Sequence, residues 1–232
     1  VKRPAGIRVD AVSKNYRTSS GLVRAIDGVT LDVQPGGSLA ITGRSGCGKS
    51  TLLGLIGGLE APTAGRVVVG GLDLSSMSDR QRDRVRREHV GFVFQADNLL
   101  PYLTAAENVA LQVALHPSDG GERRCLELLT GLGLGDCVDK LPDQLSGGQR
   151  LRVAVARALV HHPGVVLADE PTGAVDADNA HVIVDLLLAA QASTGATLVI
   201  VTHDDDVARR LERTLRLQDG RLVDADRKRR VG

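Results

Sequence analysis

The sequence predicts an α/β protein with a mostly parallel sheet, an antiparallel β subdomain at its N-terminal end and an α-helical subdomain inserted in its middle. Three observations carry this. From residue 38 onward, short apolar runs alternate with helix-forming stretches. Before that point, "IRVDAV" and "GVTLDVQPG" alternate apolar and polar residues, as antiparallel strands with one wet face do. From about residue 97 to residue 160, helix formers at helical apolar spacing take over.

"SLAIT" (38–42) reads as a buried strand, and a helix is expected from Lys49 to about Gly57. "RVVVG" (66–70) and "VGFVF" (90–94) read as further strands. "LTAAENVALQVAL" and "GERRCLELLTGLGL" are helical, with the Pro117–Gly121 stretch as the turn between them. In "GGQRLRVAVARALV", Leu151, Ala154, Val155, Ala158 and Leu159 form one apolar helical face. "GVVLAD" (164–169) is a strand ending in a carboxylate. "ATLVIVT" (196–202) is a strand followed at once by His203, and Asp204 to Asp206 read as the acidic start of a helix. "TLRLQ" and "RLVDA" close a hairpin around Asp219-Gly220. The 232 residues make one domain, with an α/β core over 1–96 and 161–232 and the helical subdomain over about 97–160.

Composition narrows the function. The formal net charge of +1 gives no field that would draw nucleic acid or an acidic membrane. Aromatic residues make up only 2%, too few for a base-stacking platform, so no nucleic-acid partner is expected. Cys47, Cys125 and Cys137 lack metal-ligand spacing and read as reduced thiols of a cytosolic protein. No apolar run approaches the roughly 18 residues of a membrane span, and the N-terminal residues lack the apolar stretch of a signal peptide. The basic "DRKRR" near the C-terminus fits a solvated end or a contact with anionic headgroups.

The chemistry begins in "GRSGCGKST", from Gly43 through Arg44, Ser45, Gly46, Cys47, Gly48, Lys49 and Ser50 to Thr51. It fits G-x-x-x-x-G-K-[ST] at every fixed position and sits between an expected strand and an expected helix. Glycines let consecutive amides turn inward into a nest, and the helix N-terminus adds positive potential. Lys49 can reach the β- and γ-phosphates, and the Ser50 hydroxyl can ligate Mg²⁺. The ligand is then a nucleoside triphosphate, and the expected core is that of a P-loop NTPase, RecA-like in type. "VVLADE" places Asp169 at a strand's C-terminal end, in the ligand crevice of such a sheet. Asp169 can hold the Mg²⁺ and Glu170 can orient or deprotonate the attacking water. "LSGGQR" (145–150) opens a helix, with Ser146 as N-cap and Gly147 and Gly148 exposing amides. That is a second anion site. Two chains arranged head to tail would use both, each triphosphate held by the loop of one and the Ser-Gly-Gly helix of the other.

With the phosphate loop, "LSGGQ", "LADEP" and "THD" in this order and spacing, the chain resembles the ATP-binding subunit of ABC transporters over nearly its full length. The resemblance implies ATP and Mg²⁺ as ligands and an ATP-dependent homodimer. It also implies roles for single residues: Tyr16 stacking on adenine, and Gln95 contacting Mg²⁺ and the reacting water while joining the core to the helical subdomain. It places Ser146, Gly147, Gly148 and Gln149 on the partner's nucleotide, Asp176 in a loop crossing the dimer interface, and His203 on the γ-phosphate. Read alone, Tyr16 also fits a ring packed on the surface, Gln95 a strand-end residue and His203 a core or capping histidine. An integral membrane permease is the implied partner, docked beside Gln95 and the helical subdomain, where "ADNLLPYL" (96–103) offers apolar residues that fit either docking or internal helix packing. The chain would then lie in the cytoplasm, on the inner face of the cell membrane.

"LIGGLEAPTAG", "GFVFQADNLLPYLTAAENV" and "ADEPTGAVD" look most like the lipoprotein-release, macrolide-efflux and cell-division branch. That implies export or mechanical work across the membrane, or else a signalling or scaffold subunit of a cell-division-type complex that moves no solute. The sequence departs from the family pattern at Cys47, where a small residue such as serine is usual, at Leu151, where a polar residue is common, and in "GAVD" for G-x-L-D. The Cys47 thiol, beside Lys49 and a helix N-terminus, is either a small side chain that fits or a reactive group whose alkylation blocks ATP.

Overall fold

The computed structural model describes residues 5–19, 21–114, 121–173 and 177–223. The expected turn at Pro117–Gly121 and the basic C-terminal stretch lie outside them, apart from Gly121. Strands β1 (Ile7–Thr18) and β2 (Gly21–Val33) pair antiparallel, and β1 also pairs with β4 (Ala64–Val69), which pairs with the short β5 (Leu72–Asp73). This is the antiparallel subdomain, in the order β2-β1-β4-β5.

The second sheet has six strands: β3 (Ser38–Thr42), β6 (Val90–Val93), β7 (Val165–Asp169), β8 (Thr197–Thr202), β9 (Arg213–Gln218) and β10 (Arg221–Val223), ordered β10-β9-β3-β8-β7-β6. All neighbours are parallel except the β9–β10 hairpin. Its central strands are buried on both faces, which is why they read as unbroken apolar runs. Leu39, Ile41, Val165, Leu167, Val199 and Val201 point to one side, into a core shared with the antiparallel sheet and α1 (Lys49–Ile56). Ala40, Val166, Ala168, Leu198 and Ile200 point to the other, onto helices α5 (Gly147–Leu159), α6 (Ala177–Thr194) and α7 (Asp205–Arg209).

Helices α3 (Ala105–Ala114) and α4 (Gly121–Gly131) form their own cluster with α5, through Val109, Leu129, Leu134, Val153 and Ala156. Helix α5 therefore has two buried faces, where the sequence shows one. Leu151, Val155 and Ala158 pack on the sheet, while Val153, Ala156 and Val160 pack among the helices. Leu151 is 3% exposed, which accounts for an apolar residue at that place.

Two helices carry no expectation from the sequence. Helix α2 (Asp79–His89), "DRQRDRVRREH", is almost wholly polar, so no apolar period marks it. Its signal is the reciprocal Ser78–Gln81 capping box, backed by ion pairs such as Arg84–Glu88 at 2.8 Å. Helix α6 follows the loop after β7 and buries Ile183, Val184 and Leu187.

Candidate functional site

Because β3, β6, β7 and β8 run parallel, their C-terminal ends meet at one edge of the sheet. The pairings Thr42↔Thr202, Asp169↔Val201 and Val93↔Ala168 set the loops that follow side by side. Those loops carry the phosphate-loop residues, Glu170, His203 and Gln95. They surround a cavity of about 750 Å³.

Ser45 to Thr51 line this cavity. The loop can take its path only with glycine at its tight points. Gly48 has φ +104°, and a Cβ there would stand 2.4 Å from the Ala25 carbonyl oxygen. A Cβ on Gly43 would stand 2.3 Å from that of Leu217. The β2 and β9 backbones thus clamp the loop from two sides, and Gly220 N–H donates to Cys47 O at 3.0 Å. The first turn of α1 leaves its amides without carbonyl partners inside the helix, an anion cradle.

Lys49 is 7% exposed. Its ammonium donates to Gly43 O at 2.8 Å and Arg44 O at 3.2 Å, and lies 3.4 Å from Glu170 Oε1. Glu170 has φ +45°, an uncommon left-handed backbone for a residue with a side chain. The Glu170 N–H donates to Val201 O at 2.9 Å. The other carboxylate oxygen accepts from His203 N–H at 3.1 Å and faces His203 Nδ1 at 2.8 Å. Glu170 is thus held between the lysine and the histidine, 13% exposed, while His203 is 69% exposed to the cavity's mouth.

The Ser50 hydroxyl donates to Asp169 Oδ1 at 3.1 Å. Burial pushes the Asp169 carboxyl above its usual range; the Ser50 hydrogen bond opposes the shift, the Glu170 charge adds to it and Lys49 pulls back. Gln95 lines the cavity, its Nε2 3.0 Å from where a Cβ on Gly173 would stand.

Other expected site residues lie apart from this cavity. Gly43 and Asp169 are not in its lining but bond to Lys49 and Ser50, which are, and Arg44 lines a second cavity of about 310 Å³. Tyr16 is not in the wall either; its hydroxyl donates to Glu60 at 2.7 Å, and its cross-strand partner Val23 does line the cavity. Ser146 caps α5: its hydroxyl oxygen accepts from Gln149 N–H at 3.2 Å, and Gln149 Oε1 accepts from Ser146 N–H at 2.8 Å. None of Ser146, Gly147, Gly148 and Gln149 lines the phosphate-loop cavity of their own chain. Asp176 lies outside the described residues. Cys47 is only 8% exposed and belongs to the core cluster, while it also lines the cavity. Sequence reasoning missed Val23, Arg24, Ala25 and Asp219, which also line the cavity. They sit in ordinary strand and turn patterns, with no local signal of a site.

Fold and site define a P-loop nucleoside triphosphatase. Residues 26–173 match the ABC transporter family, and the chain belongs to that family as an ATP-binding cassette with ATPase activity. It is 46% identical to the lipoprotein-releasing system ATP-binding protein LolD of Xanthomonas axonopodis pv. citri, over 95% of this chain and 91% of that protein. It is 42% identical to the macrolide export ATP-binding/permease protein MacB of Rhodopirellula baltica, over 96% of this chain and 33% of that protein. Among solved structures, a dimeric bacterial ABC transporter cassette superposes with a TM-score of 0.89 at 39% identity, covering 96% of this chain and 99% of that one. A dimeric ATP-binding cassette in a post-hydrolysis state, with ADP and Pi, matches with a TM-score of 0.89 at 38% identity and the same coverage.

Proposed function

We propose that two copies of this chain close head to tail around two ATP molecules and drive an integral membrane permease, in export or in mechanical work across the membrane. The observation that carries this reading is the separation within one chain of the phosphate loop from the Ser146 helix end, two anion-binding features that share no cavity. The dimeric cassettes similar to this chain support it, as do the names of LolD and MacB.

In this reading the amides of Gly46 to Thr51 cradle the β- and γ-phosphates and Lys49 neutralises them. Glu170 accepts a proton from water as the water oxygen bonds to the γ-phosphorus and the bond to the ADP oxygen breaks. His203 holds Glu170 and meets the γ-phosphate; Tyr16 stacks on the adenine. The Ser50 and Asp169 oxygens, 3.1 Å apart, are the hard donors that Mg²⁺ prefers, with Gln95 nearby. Mg²⁺ bound there would neutralise phosphate charge. From the partner chain, Ser146 to Gln149 complete the phosphate shell. The Ser146 oxygen accepts in its own capping box, which leaves the hydroxyl proton free to donate to a phosphate. Asp176 belongs to the interface crossing.

In the segment after β6, Leu100 and Tyr102 are 47% and 89% exposed, and Arg157, which donates to the Asn98 and Asp97 carbonyls of that segment, lines a groove of about 250 Å³ with Leu59 and Phe94. That face takes the permease. No described helix is long and apolar enough to cross a membrane, so a permease would hold the chain on the cytoplasmic face. Ser146→Ala is expected to cost about 1 kcal/mol of stability through the lost cap, read by urea denaturation, and to abolish ATP-driven dimerisation, read by size-exclusion chromatography with light scattering. Dimerisation at the wild-type ATP concentration would remove Ser146 from the interface.

To test the whole reading, tagged Glu170→Gln protein is loaded with Mg-ATP, purified from gently solubilised native membranes and examined by mass spectrometry. A permease with a large extracytoplasmic domain is expected. A many-helix permease with a solute-binding protein would mean import. A cell-division-type partner that transports nothing would favour the signalling role, and dimer without any membrane protein would overturn the permease.

A further inference from the structure

The geometry points to Glu60 and Lys14 as positioning residues that fix the Tyr16 ring for the nucleotide base, with Lys14 on one face and the other left for stacking. This rests on the proposed stacking role of Tyr16. The Tyr16 hydroxyl lies 2.7 Å from Glu60 Oε1 and 2.8 Å from Oε2, so one proton is shared between two carboxylate oxygens. Lys14 Nζ pairs with Glu60 Oε2 at 2.9 Å and donates to Ala61 O at 2.8 Å. The same ammonium sits 5.2 Å from the Tyr16 ring centroid, within cation–π range. Lys14 and Tyr16 belong to β1, while Glu60 follows the end of α1, so the cluster ties the antiparallel sheet to the helix that bears the phosphate loop.

A tyrosine side chain has two rotatable bonds, and a base stacks well only on a ring held still. Here the hydroxyl is anchored at one end and a cation covers one face. Thr51, which lines the cavity, is close enough to the Tyr16 hydroxyl to oppose the rise that burial gives its pKa. Val23, opposite Tyr16 across the strand pair, lines the cavity as well, so the open side of the cluster borders the nucleotide space. Burial raises the Tyr16 pKa, with the Glu60 hydrogen bond adding to the rise. Burial alone would raise Glu60 too, but the hydrogen bonds from Lys14 and Tyr16 outweigh it and hold the carboxylate below its usual range. The phenol therefore stays protonated and the carboxylate charged across neutral pH, the pairing that keeps the anchor intact.

The test compares ATP and inorganic tripolyphosphate binding to wild type, Glu60→Ala, Tyr16→Phe, Tyr16→Ala and the Glu60→Ala/Tyr16→Phe double variant, by displacement of a fluorescent ATP analogue and by ATPase kinetics. Glu60→Ala is expected to weaken ATP about 10-fold, the low end of the worth of one lost charge-assisted hydrogen bond. It should raise KM and leave kcat and tripolyphosphate affinity unchanged. In the Tyr16→Phe background, which has already lost the hydroxyl, Glu60→Ala should add nothing. A Glu60→Ala loss that persists in that background, or that extends equally to tripolyphosphate, overturns the positioning role. If Tyr16→Ala weakens ATP while Glu60→Ala does not, the positioning role alone fails. If Tyr16→Ala leaves ATP affinity unchanged, the stacking reading fails and the inference falls with it.

Discussion

Glu170→Gln is expected to slow ATP turnover about 10²- to 10⁴-fold, the usual contribution of a positioned base, while ATP binding stays close to wild type. Glutamine has the same shape and still accepts from His203 N–H, which now stands 3.1 Å from the carboxylate. It loses the charge that faces Lys49 at 3.4 Å and the capacity to take a proton from water. The rest of the site, including the cradle from Ser45 to Thr51, is untouched. Binding without release of phosphate should therefore trap the closed dimer. Two measurements check this: phosphate release over time, and the molar mass of the variant with Mg-ATP. Turnover at the wild-type rate would show that some other group activates the water. A slow variant that stays monomeric with ATP would separate catalysis from dimerisation and weaken the proposed cycle.

The part of the site legible in the sequence is the part built from consecutive residues. A strand, a glycine loop and a helix follow one another from Ser38 to Ile56, so the cradle could be read directly. Asp169 and Glu170 were legible because a buried strand ends at them. Helix α5 was half legible: its sheet-facing stripe has the helical period, but the second buried stripe blurs that period instead of announcing a second contact. Helix α2 was not read, because a helix held by a cap and ion pairs has no apolar stripe to find. Arg24, Ala25 and Asp219 reach the cavity only through the packing of β2 and of the β9–β10 hairpin against the loop. No local pattern encodes a contact between segments more than a hundred residues apart, such as Gly220 with Cys47. The Glu170–His203 contact, between residues 33 apart, is likewise made by the adjacency of β7 and β8 in the sheet.

Gly48→Ala is expected to destroy nucleotide binding and to destabilise the fold, and its comparison with Gly46→Ala isolates the reason. Both glycines have positive φ, +104° and +78°. A side chain pays about 1–3 kcal/mol for such a conformation, so backbone strain alone predicts similar losses. Their surroundings differ. A Cβ on Gly46 would meet nothing within 4 Å. On Gly48 it would stand 2.4 Å from the Ala25 carbonyl oxygen and 2.9 Å from Ile26 Cδ1. Ala25 is an extra residue in the β1–β2 register, but its neighbours Arg24 and Ile26 are both paired and hold its carbonyl in place, so the loop must move, and the amides of Gly48 to Ser50 move with it. Each amide–phosphate hydrogen bond lost involves a charged acceptor and is worth about 1.5–3 kcal/mol; two such losses weaken ATP by more than about 100-fold. Urea denaturation should place Gly46→Ala about 1 kcal/mol below wild type and Gly48→Ala about 3 kcal/mol or more below it. Binding of a fluorescent ATP analogue should survive in the first and vanish in the second. Equal losses in the two variants would mean that strain, and not the clamp formed by β2, sets the shape of the cradle.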